Sequence, residues 1–149
     1  MPNPFCHIEL STDDVAKAKK FYKSVFDWKL SDAPGAMPYT MIEVGKGGVG
    51  GGMQAKPMPS VPTSWLPYVE VESVKKSLAK AKKAGANIAL DFHPIGEMGA
   101  IGVFVAPDGS TLGVWEAGKK AAPKKAAAKK VAAQPAKKPA AKKSAAKKR

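Results

Sequence analysis

The stretch His7-Ile-Glu-Leu-Ser-Thr-Asp-Asp-Val-Ala-Lys-Ala-Lys-Lys-Phe-Tyr-Lys-Ser-Val-Phe-Asp-Trp28 decides the fold. It begins inside Phe5 to Leu10, a short run of alternating character that reads as a strand. Ser11 and Thr12 offer capping hydroxyls, and Asp13-Asp14 put negative charge where a helix start attracts it. Apolar residues then fall at Val15, Ala18, Phe21, Tyr22 and Val25, which is one helical stripe, and the helix is predicted to end near Asp27.

Beyond Asp32-Ala-Pro-Gly35 a strand is predicted at Tyr39 to Val44, then a Gly-Lys-Gly-Gly turn and a strand toward Gln54. The same order follows again. Leu66 opens an alternating strand through Tyr68-Val-Glu-Val-Glu72, and a helix carries Val74, Leu78, Ala81 and Ala84 on one face with Gly85 as its C-terminal stop. Asn87 to Phe92, Ala100 to Val105 and Ser110 to Ala117 read as strands, the last two joined by the turn Pro107-Asp-Gly109. Val15 matches Val74, and Gly-Met-Gln-Ala55 matches Val-Trp-Glu-Ala117, a repeat offset of about 59 to 62 residues.

Charge divides the chain in two. The segment from Gly118 to Arg149 holds 12 Lys and one Arg with no acidic residue, whereas Met1 to Ala117 balances 12 Lys against all 12 Asp and Glu. The net charge of +13 therefore belongs to the tail. Ala and Lys runs broken by Pro123, Pro135 and Pro139 offer no large apolar side chain to offset the entropy of ordering, so residues 118–149 are predicted to be a disordered polycation. The preceding 117 residues suit one compact domain. With a single cysteine, Cys6, no intrachain disulfide can form, and no apolar run approaches a membrane span. A cytoplasmic protein is expected, with nucleoid association through the tail.

The stretches 7–28, Trp65-Leu-Pro-Tyr-Val-Glu-Val and Ala106-Pro-Asp-Gly-Ser-Thr-Leu-Gly-Val-Trp-Glu116 resemble the vicinal-oxygen-chelate superfamily, which includes glyoxalase I, bleomycin-resistance proteins and extradiol dioxygenases. Asp27 stands where that motif usually has Gly. The resemblance implies an α+β fold of paired βαβββ modules, about residues 1–57 and 62–117, whose curved mixed sheet encloses a cavity usually completed in a homodimer. It also implies ligand positions on the first and last strand of each module. These fall on His7 and Gln54, then near Tyr68 (or Leu66 if the alignment slips by two) and on Glu116. Only His7 and Glu116 are good metal ligands among them, so no tightly bound cofactor is expected and a divalent metal is the alternative.

Strand parity places His7 with Phe5 and Glu9 on the cavity side, opposite Cys6, Ile8 and Leu10. Tyr68, Glu70 and Glu72 lie opposite Val69 and Val71, and Glu116 opposite Trp115. The substrate-binding candidates are thus His7, Glu9, Gln54, Tyr68, Glu70 and Glu116. Cys6 and His7, being adjacent on a strand, point apart and make no nucleophile–base pair. His93 reads as a loop residue near the pocket mouth, and Gly47 to Gly52 as a turn and close-packed strand, since no Lys-Ser/Thr follows to make a phosphate loop. Asp13/Lys17 and Glu72/Lys76 have the spacing of helical ion pairs.

In the tail, Lys119-Lys120, Lys124-Lys125, Lys129-Lys130, Lys137-Lys138, Lys142-Lys143, Lys147-Lys148 and Arg149 form a repeated basic pattern that resembles linker-histone tails. It contains no aromatic residue to stack on bases, so sequence-blind attraction to nucleic acid is expected, with anionic lipid as the other polyanion. Three functions remain open: a small-molecule-binding domain tethered to nucleic acid, a metal-dependent lyase, isomerase or dioxygenase, and a nucleoid-associated protein whose folded part serves to dimerise.

Overall fold

The computed structural model describes residues 2–35 and 37–118. The nucleic-acid candidates Lys119 to Arg149, and the disorder expected of their segment, lie outside the described residues.

Eight strands form one mixed sheet. In chain order the elements are β1 (Phe5–Thr12), α1 (Val15–Val25), β2 (Lys29–Ala33), β3 (Tyr39–Glu43), β4 (Gly51–Ala55), β5 (Ser64–Glu70), α2 (Val74–Lys83), β6 (Asn87–Pro94), a single 3-10 turn at Gly96–Met98, β7 (Gly99–Val105) and β8 (Thr111–Ala117). The strand order β2-β3-β4-β1-β5-β8-β7-β6 reads as β2-β3-β4-β1 meeting its repeat through the antiparallel pair β1–β5. Within each half the first strand runs parallel to the last, β1 with β4 and β5 with β8. Register makes the internal symmetry quantitative: His7 faces Tyr68 and Glu9 faces Leu66, so a 59-residue shift carries His7 onto Leu66 and Glu9 onto Tyr68.

Each half has its own core beneath its own helix. Leu10, Ile42 and Met53 are buried against Val15, Ala18, Tyr22, Trp28 and Leu30 in the first half. In the second, Val71, Val74, Leu78 and Val114 pack with Val69, Ile88, Phe92 and Phe104. The helices therefore cover one face of the sheet and leave the other to carry chemistry.

Several local expectations change. Ser11 and Thr12 continue β1, and the cap of α1 is Asp14, whose carboxylate accepts from the Lys17 amide at 2.9 Å. The helix stops at Val25, two residues before Asp27. Only Val15, Ala18 and Tyr22 of the α1 stripe pack on the core; Phe21 is 58% and Val25 51% exposed. Asp13 pairs with Lys56 at 2.7 Å, across the end of β4, instead of with Lys17. Lys29–Ala33 forms an edge strand that the residue pattern does not signal: Leu30 is its only large apolar side chain. His93 belongs to β6, opposite Ile101, because that strand runs on to Pro94. Gly85 does stop α2, with φ of 96°.

Candidate functional site

Glu9 sits near the centre of the sheet, on the face the helices leave bare, and is 5% exposed. Burial of a carboxyl there is costly without partners, and three strands supply them. Gln54 on β4 donates from Nε2 to Glu9 Oε1 at 2.8 Å. Tyr39 on β3 donates its hydroxyl to Glu9 Oε2 at 3.1 Å, and the Tyr68 hydroxyl on β5 lies 3.5 Å from Oε1. His7, two residues before Glu9 and therefore on the same face, places Nε2 2.8 Å from Tyr39 Oη. Its ring is tilted against Tyr68 with centroids 6.0 Å apart.

The strands position these groups by register. Gly52 pairs with Glu9, and Gln54 with Tyr39, so the tyrosine ring crosses β4 to reach the carboxyl. A β-carbon at Gly52 would overlap the Tyr39 ring; one at Gly113 would overlap the Tyr68 ring. Both halves thus lay a tyrosine over a bare glycine, and both hydroxyls turn toward Glu9.

Desolvation dominates the electrostatics. Burial pushes the Glu9 carboxyl up to about 7, against the opposing pull of its bonds from Tyr39 and Tyr68. Burial pulls the His7 imidazole down to about 4, so it is neutral at pH 7. Burial, followed by the nearby Glu9 charge, raises both Tyr39 and Tyr68, which stay protonated as donors. Burial and then the Glu70 charge push the Cys6 thiol up to about 11, and that thiol donates to the Tyr68 carbonyl at 3.5 Å. A thiol so protonated is no nucleophile at neutral pH.

Of the six substrate-binding candidates, the structure brings together His7, Glu9, Gln54 and Tyr68. Glu70 lies farther along β5, opposite Trp115, where its charge acts on Cys6. Glu116 is a correction. Its Oε2 accepts from the Val74 backbone N–H at 2.6 Å, at the first turn of α2, on the helix face that it shares with the buried Val114. The cause is register: Gly52 pairs with Glu9 and Gly113 with Tyr68, so the last strands are related by 61 residues. The one-residue difference from the sequence match swaps faces, and Trp115 becomes the counterpart of Gln54. Tyr39 is the member that strand parity missed; the β3–β4 register that sets it against Gln54 places it there, and the sequence carries no signal of that register.

This donor set does not fit a divalent metal. The four positions at the equivalent strand sites are His7, Gln54, Leu66 and Trp115, of which the last two offer no lone pair a metal would use. His7 Nε2 is engaged with Tyr39, and the Gln54 amide with Glu9. Among the described residues no group of three or more His, Cys, Asp or Glu could hold an ion.

Comparison with known proteins agrees with this architecture. Residues 5–45 match the family described as bleomycin resistance protein-like N-terminal. A glyoxalase/bleomycin resistance protein/dioxygenase superfamily member from Vibrio splendidus superposes with a TM-score of 0.53 at 12% identity, covering 76% of this chain and 98% of that one. The two proteins share a fold. Methylmalonyl-CoA epimerase from Mycobacterium tuberculosis aligns with a TM-score of 0.58 at 11% identity, over 78% of this chain and 89% of the enzyme. The Mn(II)-bound glyoxalase from Novosphingobium aromaticivorans gives 0.52 at 18% identity, over 75% of this chain and 37% of that protein. In sequence the chain is 29% identical over 120 residues to the protein named "Putative glyoxylase CFP32" in Mycobacterium bovis and in Mycobacterium tuberculosis, a match covering 75% of this chain. It spans about half the length of these curated relatives, 45% of each.

Proposed function

We propose that the bare face of the sheet around Glu9 binds a small molecule. The observation that carries this reading is the hydrogen-bonded set of buried Glu9, Tyr39 and Tyr68 with the partly buried His7 and Gln54: a core built for stability alone would fill such a position with hydrocarbon. The likeness in fold to an epimerase that acts on a CoA ester and to a glyoxalase supports it. Because the donor set fits no metal, binding without a metal is favoured over a metal-dependent lyase, isomerase or dioxygenase.

The test is calorimetric titration of the full chain with methylmalonyl-CoA and with metal-free bleomycin, probes taken from the proteins that this chain resembles. Binding by either probe that weakens at least tenfold in Glu9→Gln or Gln54→Leu supports the site. Binding by neither, or binding indifferent to both substitutions, overturns it for these ligand classes. Two further readings belong to the same proposal. The domain pairs as a homodimer, since each half buries only a small core of its own; light scattering should give twice the chain mass. The tail, with 13 positive charges and no negative ones, tethers the domain to nucleic acid without sequence preference.

A further inference from the structure

We infer that His7, Tyr39 and Glu9 form a proton-relaying chain, in which a proton taken up at His7 Nδ1 is delivered through Tyr39 to the buried Glu9 carboxyl, so that the tautomer of His7 reports the charge on Glu9. This goes beyond the ligand-binding reading and holds whether or not a ligand is found.

The inference rests on counting protons over two short contacts. Tyr39 Oη has one hydrogen and two neighbours, His7 Nε2 at 2.8 Å and Glu9 Oε2 at 3.1 Å. When Glu9 is ionised its oxygen can only accept, so Tyr39 donates to Glu9 and its oxygen must receive a hydrogen from His7. His7 is then the Nε2–H tautomer, with a free lone pair on Nδ1. When Glu9 is protonated on Oε2 it donates to Tyr39, Tyr39 donates to His7 Nε2, and the imidazole hydrogen sits on Nδ1.

The two states differ by one proton. Going from the first to the second, an N–H bond forms at Nδ1 with a proton from solvent and the Nε2–H bond breaks. That hydrogen bonds to Tyr39 Oη, and the original Tyr39 hydrogen leaves for Glu9 Oε2. No group other than solvent is needed to balance the transfer. Glu9, at 5% exposure, has little contact of its own with water, whereas His7 is only partly buried, so the imidazole is the route by which the carboxyl exchanges its proton.

The groups facing Glu9 from the neighbouring strands are His7 on its own strand, Tyr39 on β3, the uncharged Gln54 on β4 and Tyr68 on β5. The tyrosines stay protonated and the imidazole is held neutral by burial. Glu9 is therefore the group that titrates near neutrality, and the chain titrates as a unit around it. Any ligand polar group meeting Nδ1 would find an acceptor above that transition and a donor below it.

The experiment is two-bond proton–nitrogen correlation NMR on the full-length, nitrogen-labelled protein from pH 5.5 to pH 8.5, with the Glu9 carboxyl followed by carbon NMR. His93 serves as the internal comparison. The expected result is that His7 passes from the Nδ1–H to the Nε2–H tautomer as pH rises, with the same midpoint as Glu9. In Tyr39→Phe the coupling is lost, and in Glu9→Gln the His7 tautomer becomes independent of pH. The inference is overturned if His7 keeps one tautomer while Glu9 titrates, if it becomes doubly protonated at pH 5.5, or if the tautomer change survives in Tyr39→Phe. Should Tyr39→Phe fail to fold, the wild-type titration and Glu9→Gln decide the matter.

Discussion

Tyr39 lies across the bare backbone of Gly52, and that overlap is what brings its hydroxyl to 3.1 Å from Glu9. The glycine is needed for space, since it occupies an ordinary strand conformation. Gly52→Ala should force the ring off β4 and cost about 1–3 kcal/mol, the range for overpacking. Urea unfolding measures it. A loss below about 0.5 kcal/mol, the scatter of surface substitutions, would show that the ring moves aside freely.

Glu9 and His7 act on stability in opposite directions. The folded carboxyl titrates near 7 against an ordinary value of 4.5, so the folded state holds the extra proton and Glu9 lowers stability as pH rises from 4.5 to 7. The folded imidazole titrates near 4 against 6.5, so the unfolded state binds the extra proton and stability grows as pH rises from 4 to 6.5. Each effect is on the order of 3 kcal/mol, and they offset one another between pH 4.5 and 6.5. Removing the carboxyl in Glu9→Gln exposes the imidazole's share. The stability of the variant relative to wild type should climb by about 3 kcal/mol from pH 4.5 to pH 7. A constant difference across that range would contradict the assigned burial of the Glu9 charge.

Glu116 serves the helix. Its carboxylate receives the Val74 N–H at the start of α2, beside the Ser73 hydroxyl that receives the Lys76 N–H. Glu116→Ala should cost about 1 kcal/mol, as loss of a helix cap does, while leaving small-molecule affinity unchanged. Elemental analysis of the wild-type chain should find less than one equivalent of divalent metal. One equivalent, lost in both His7→Ala and Gln54→Leu, would reinstate the metal-dependent reading.

For the tail, the checking measurement is a salt titration of duplex DNA binding on the full chain and on residues 1–117. With 13 basic residues available, log affinity should fall with log salt at a slope no steeper than about −12. The shortened chain should lose binding, whatever the DNA sequence. Comparable affinity in the two proteins would remove the tail from the interaction.

The local elements were legible because they rest on periodicity. The stripe from Val15 to Tyr22, the Gly85 stop and the alternation around Tyr68 each report a face or an end without reference to distant residues. The repeat also showed the two-part architecture, since Val15 and Val74 both begin helices. His7, Glu9, Gln54 and Tyr68 could be placed on one face by parity alone.

What joins those four residues was decided only in three dimensions. A match of Gln54 to Glu116 and one of Gln54 to Trp115 differ by a single residue in sequence, and in a strand one residue is the whole difference between lying on the bare face of the sheet and capping a helix. Tyr39 entered the site because β3 pairs with β4 in the register that sets it against Gln54, and Gly52 leaves room for its ring. The sequence by itself determined which side chains alternate and that Gly85 ends α2, because those follow from bonds between near neighbours in the chain. The tertiary structure alone determined which hydroxyls meet Glu9, because that depends on the register between strands that are distant in the chain.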